Sequence, residues 1–162
     1  GHTQKPYISK TPSPQHRFPV INAVSRRHID VIYSSRALQH QTMPKVVFSN
    51  AAYIQPLYDP GLYGTTQGGI YIPVQSDAEG CLVQRYLKSK LVSYIVAATK
   101  WSNYATVRQI FWSIPHPADL PPETTDDDIY RYFGLNQDQI DRIERNEPGP
   151  GLTAYKPREL PR

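Results

Sequence analysis

At 162 residues the chain has room for one domain and a small appendage, and 16 prolines with 39% apolar residues predict a modest core with proline-punctuated ends. The net charge of +4 is uneven: seven Lys/Arg stand against two acids in residues 1–60, five against two in 61–118, and three against nine in 119–147. No apolar run approaches the roughly 20 residues of a membrane span, and the single cysteine, Cys81, excludes an internal disulfide and a multi-cysteine zinc site.

A basic body followed by an acidic segment suits a polyanion as partner of the body, although ordinary solvated charge has the same composition. An intracellular, cytoplasmic chain without a membrane partner is expected. Residues 1–16, GHTQKPYISKTPSPQH, carry no apolar period and read as an extended or disordered lead, with Gly-His as a tag remnant. Residues 1–17 are therefore set apart from a body at 18–118.

Phe18-Pro19-Val20-Ile21 and Ile29-Asp30-Val31-Ile32-Tyr33 predict a β-hairpin with a polar turn at Ser25-Arg26-Arg27-His28. Arg26 and Arg27 at its tip suit phosphate contact or plain solvation. Residues 34–43 read as a loop or short helix. The stretch that follows, Lys45 to Gly69, organises the rest. It opens with a β-prone run, Lys45 to Phe48, then Ser49 and Asn50, an Asp59-Pro60-Gly61 turn, and Thr65-Thr66-Gln67. Tyr53, Tyr58, Tyr63 and Tyr71 interleave it. Hydroxyls, amides and aromatic faces with almost no acid suit hydrogen bonding and stacking on a base or sugar-phosphate. A tyrosine-rich hairpin covering a small core has the same composition. Residues 56–64 must be loop, because proline and glycine exclude a central strand, and Gly69 to Val74 is the next strand.

Ser76 and Glu79 form a capping box that starts one long helix, Asp77 to Thr99, with Leu82, Val83, Tyr86, Leu87, Leu91, Ile95 and Ala98 on its apolar face. Cys81 reads as a small packing residue of that helix, and Arg85, Lys88 and Lys90 as solvated. Lys100-Trp101-Ser102-Asn103-Tyr104 breaks the pattern. Thr106 with Gln109 caps a short helix, Val107 to Trp112, so Arg108 sits at a helix N-terminus suited to phosphate. Trp112 reads as a core anchor and Trp101 as a half-buried functional position. In the acidic segment, residues 119–147, Thr125-Asp126-Asp127-Asp128 caps one short helix through Phe133, its acids complementing the positive helix end, and Asn136 caps a second, a pair suited to docking. Residues 148–162 read as a flexible tail. The expected fold class is α+β: a small mixed sheet packed on one long helix, with a short C-terminal helix pair.

No phosphate-binding Gly-Lys-Ser/Thr motif, dinucleotide glycine fingerprint or nucleophile elbow occurs. The five histidines show no metal spacing, and Asp30, Asp59, Asp77 and Glu79 form no pair for acid–base work. The chain alone is not expected to be catalytic, and no metal or cofactor is expected in it.

An ordered series of motifs adds a family. Pro44-Lys45-Val46-Val47-Phe48-Ser49, Tyr58-Asp59-Pro60-Gly61-x-Tyr63-Gly64-Thr65-Thr66-Gln67, Tyr86-Leu87-Lys88-Ser89-Lys90-Leu91, Thr99-Lys100-Trp101-Ser102-Asn103-Tyr104 and Ile114-Pro115-His116-Pro117 follow one another. The series resembles the C-terminal target-recognition region of adenine-specific DNA methyltransferases of type II and type IIG restriction–modification systems. Asp128 to Glu144 resembles the acidic ending of that region, and the resemblance spans about residues 18–146. It implies double-stranded DNA as partner and an upstream methyltransferase domain that holds S-adenosylmethionine. It also implies a nucleoid-associated location. The family's Asn/Asp-Pro-Pro-Tyr/Phe motif and its glycine motif are missing here, so methyl transfer is not assigned to these residues. On this reading Arg26, Arg27, Lys45, Ser49, Asn50, Tyr53, Tyr58, Tyr63, Thr65, Thr66, Gln67, Lys100, Trp101, Ser102, Asn103, Tyr104 and Arg108 face DNA. A protein-interaction module with a tyrosine-rich surface is the principal alternative, and a carbohydrate-binding domain fits the aromatics but not the basic body.

Overall fold

The computed structural model of the protein describes residues 5–24, 28–49, 55–66, 68–99, 110–111 and 114–145. Its class is α+β, with two sheets rather than one. The expected hairpin forms from β2 (Phe18–Val24) and β3 (Ile29–Ser34), paired antiparallel from Phe18↔Ser34 to Val24↔Ile29. The register shifts between Ile21 and Ala23, a bulge at Asn22 that turns its amide onto Asp30 at 2.7 Å. β1 (Ile8–Ser9) pairs with β3, and the Ser35 amide donates to the Tyr7 carbonyl at 2.9 Å. This corrects the reading of the lead from residue 5 onward: its backbone extends a sheet edge that composition alone does not reveal. β6 (Gly64–Thr65) lies parallel to β2 and completes the order β1-β3-β2-β6.

The second sheet has β4 (Lys45–Ser49) at its centre, between β5 (Leu57–Asp59) and β7 (Gly69–Pro73). A short edge strand thus forms inside the stretch expected to be loop. Pro56 and Pro60 bound it without entering it, as an edge tolerates. All five residues of β4 are buried, because the strand is covered on both faces. Val47 packs with Ile21 and Val24 between the sheets. Val46 and Phe48 point the other way, into a larger core with the helices. Each such side chain contributes roughly 1.5–3 kcal/mol when fully buried.

The long helix is two helices, α1 (Asp77–Leu87) and α2 (Lys90–Thr99). Ser89 interrupts them: its buried hydroxyl accepts from the Val92 amide at 3.2 Å, a second N-cap inside the apolar pattern. Asp126 accepts from the Lys90 amide at 3.0 Å, so an acid from a later helix supports the break. Ser76 caps α1 as expected, while the Glu79 carboxylate reaches Gln75 N at 2.6 Å. Cys81 is exposed, contrary to the packing role read from the sequence, because it falls off the face carrying Leu82, Val83, Tyr86 and Leu87.

The acidic segment forms α3 (Asp126–Tyr132) and α4 (Gln137–Glu144), both with reciprocal capping boxes, Thr125 with Asp128 and Asn136 with Gln139. The pair does not stand apart. Ile129, Tyr130 and Ile143 join the core that holds Val46, Phe48 and Val92. Glu144 ties it to α2 through Lys90 and accepts from Tyr130 at 2.9 Å. Among the described residues no helix is long and apolar enough to cross a membrane.

Tyr58 fixes how α1 meets the sheet. Its hydroxyl donates to Asp77 at 2.5 Å, a bond that pushes the phenol up to about 12. Its ring lies where a side chain on Gly80 would project, 2.3 Å from a Cβ placed there. Gly80→Ala should therefore destabilise by about 1–3 kcal/mol through overpacking, although the same change in an open helix stabilises by about 1 kcal/mol. Urea unfolding of the two proteins distinguishes these signs.

Candidate nucleic-acid interface

β2, β4 and β6 run toward one end of the two sheets, and β3 and β7 start from it. The Thr66 amide donates to Ile21 O at 3.0 Å, and its hydroxyl to Asn22 O at 3.1 Å. The Gly69 amide donates to Thr66 O at 3.1 Å, and Gly69 pairs with Ser49. A Cβ on Gly69 would stand 3.5 Å from the side chains of both Thr65 and Val47, so the sheets meet here at van der Waals distance. Phe111 packs its ring 4.8 Å from that of Phe48, the neighbour of Ser49. Val24, Ile29, Ser49, Thr66 and Phe111 therefore border a common end.

Those residues flank the chain segments that carry most candidate contacts. Arg26, Arg27, Asn50, Tyr53, Gln67, Lys100, Trp101, Ser102, Asn103, Tyr104 and Arg108 lie outside the described residues. The helix expected from Val107 to Trp112 is described only at Ile110 and Phe111, which are helical. Of the remaining candidates, Thr66 is half-buried, with its hydroxyl on Asn22. Tyr63 is half-buried against the inter-sheet core. Ser49 and Thr65 are buried, and Tyr58 is held by α1. These three are held within the fold at strand and helix junctions rather than extended from it.

Lys45 requires a plain correction, because it cannot present charge to a ligand. It is fully buried and its ammonium lies 2.6 Å from the Asp59 carboxylate, which is also fully buried. Lys45 and Asp59 are direct cross-strand partners on β4 and β5. The ammonium also donates to Met43 O at 2.9 Å. Asp59 accepts from the amides of Gly61, Leu62 and Tyr63 at 3.1, 2.7 and 3.2 Å. The turn role expected of Asp59 is present, with a buried cation added. Gly61, at φ 106°, makes the turn and leaves no room for a side chain, since its Cβ position lies 2.6 Å from Thr42 O.

His40 and Gln41 close this region, and sequence reading missed both because neither belongs to a motif. Gln41 is buried and donates to Pro19 O at 2.8 Å and Leu62 O at 3.1 Å, joining β2 to the Asp59 turn. His40 Nε2 accepts from the Thr65 amide at 2.9 Å, with the Thr65 hydroxyl at 3.0 Å. The N–H of edge strand β6 is thereby satisfied, and the ring proton belongs on Nδ1. The imidazole stacks on Tyr71 with centroids 4.8 Å apart. Burial and then the Lys45 charge hold His40 below its ordinary value of 6.5, against the pull of Asp59. Among the described residues no three His, Cys, Asp or Glu side chains group as metal ligands.

Asp59→Ala should cost about 3–5 kcal/mol, because it leaves a buried ammonium unpaired and removes the acceptor for three amides. Lys45→Met should cost less, since the carboxylate keeps those amides; chemical denaturation of both variants ranks them. The lowered His40 value makes the neutral ring the form that favours folding. Its contribution is full above 6.5 and is lost as pH falls below that value toward the folded-state one. Thermal melts across that window should show a loss that His40→Gln reduces.

No family model, curated protein or solved structure matches this chain.

Proposed function

We propose that this chain is the DNA-binding target-recognition domain of an adenine-specific DNA methyltransferase or fused restriction–modification enzyme. Catalysis and S-adenosylmethionine belong to a separate domain. The ordered motif series supports the family. The observation that carries the reading is the common end bordered by Val24, Ile29, Ser49, Thr66 and Phe111. In the sequence, the segments adjoining those residues contain Arg26, Arg27, Asn50, Gln67, Lys100 and Arg108. Arginine reads guanine edges, and asparagine or glutamine reads adenine edges, while hydroxyls and lysines hold the backbone. In the assembled enzyme a target adenine is flipped from the stack by the catalytic domain, while this domain holds the duplex.

The charge distribution agrees with this orientation. Helices α3 and α4, which carry the acids, pack on α2 on the helix side of β4, whereas the first sheet lies on the other side. Lys45 contributes by holding the fold, its ammonium spent on Asp59 and not on a phosphate.

Fluorescence anisotropy against a mixed pool of duplexes should show binding that weakens steeply with salt, by about one released counterion per phosphate contact. Sequencing of retained duplexes should reveal an adenine-containing preference. Salt-insensitive affinity for a protein, with no retained duplex, would favour the interaction-module reading instead.

A further inference from the structure

We infer that the opposite end of the first sheet, around Tyr7 and Phe18, is a second phosphate-binding surface that grips a DNA backbone without reading its sequence; this extends the DNA reading above. Arg36 places its guanidinium carbon 4.3 Å from the Tyr7 ring centroid, and Lys5 brings its ammonium within 5.8 Å of the same ring. Arg17 lies 5.0 Å from the Phe18 centroid. Lys5, Arg17 and Arg36 are exposed. None of them forms an ion pair among the described residues. Asp30 is the acid carried by these strands, and it sits near the far end of the ladder, bonded to Asn22.

The ladder brings the three residues to one end of the sheet. Ile8 and Phe18 both pair with Ser34, on either side of β3. Two strand spacings put the Tyr7 and Phe18 ends about 10 Å apart. Ser34 accepts from the Arg36 amide at 3.2 Å and donates to Arg36 O at 2.7 Å, which turns the chain back over Tyr7. The Ile8 amide donates to Lys5 O at 3.0 Å, and the His16 ring lies 3.3 Å from Pro6 O. A guanidinium lying over a ring is oriented by the ring face while its edge N–H groups remain available, the geometry that suits a phosphate fork. A compact acidic peptide would satisfy the charge. The extent of the sheet favours a duplex: β2 spans roughly 20 Å between this end and the Val24 end, or about six base-pair steps. One duplex along the sheet can meet both.

The test uses the whole chain carrying Lys5→Gln, Arg17→Gln and Arg36→Gln, with circular dichroism as the folding control and a charge-keeping R17K/R36K variant beside it. Anisotropy is read on a random-sequence duplex and on poly-glutamate. Three lost contacts should flatten the salt slope by roughly 2.7, so wild type loses about 40-fold more affinity than the triple variant between about 50 and about 200 mM salt. The R17K/R36K variant should keep the wild-type slope. An unchanged slope in a folded triple variant overturns the inference while leaving sequence-selective binding intact. A flattened slope in a protein that shows no sequence preference supports the inference and contradicts target recognition. Wild-type binding to poly-glutamate as tight as to the duplex, or no duplex binding at low salt, overturns the inference.

Discussion

The buried pair of Lys45 and Asp59 is the constraint on which the arrangement of the two sheets depends. Two desolvated charges are costly unless every remaining donor and acceptor is matched. Here the ammonium has Asp59 and Met43 O, and the carboxylate has three consecutive amides besides. The pair thus fixes the 59–63 turn, and that turn delivers Gly64 and Thr65 to the edge of β2. Gln41 and His40 secure the same passage, one through Leu62 O and the other through the Thr65 amide. Disturbing the pair should loosen the pairing of β6 with β2.

A three-layer order follows from β4. Its alternate side chains face the first sheet and the helices, so one strand joins both cores. The acids of α3 and α4 lie in the helix layer, and the exposed cations over Tyr7 and Phe18 lie in the sheet layer. A polyanion approaching the sheet layer meets cations while the carboxylates stay with α2. Glu144 and Asp126 serve α2 directly, through Lys90 and its amide, which gives those acids a structural duty independent of any partner.

What was legible in the sequence was local. The β2–β3 hairpin, the strands at Lys45 and Gly69, the caps at Ser76, Thr125 and Asn136, and the Asp59 turn rest on period-2 apolar runs or on side chains that bond amides a few residues away. What was not legible needed a distant partner. Lys45 looks like a surface cation until Asp59 is brought opposite it across a strand pair. Ser89 looks like a helical residue until Asp126 accepts the Lys90 amide beside it. The lead gives no strand signal because β1 is an edge of two residues held by β3. The acidic helices look detached because their few apolar residues, Ile129, Tyr130 and Ile143, become a core only against α2 and β4. That Val24, Ile29, Ser49 and Thr66 share one end comes from sheet topology, which composition does not carry.

Hydrogen exchange with and without a retained duplex tests the central claim most directly. The account predicts slowed exchange in the peptides around Asn22 to Ile29, Phe48 to Gln55, Thr65 to Ile70 and Thr99 to Phe111. Exchange in α3 and α4 should be unchanged. Protection confined to α3 and α4, or spread evenly over the chain, would contradict a DNA-facing end of the sheets.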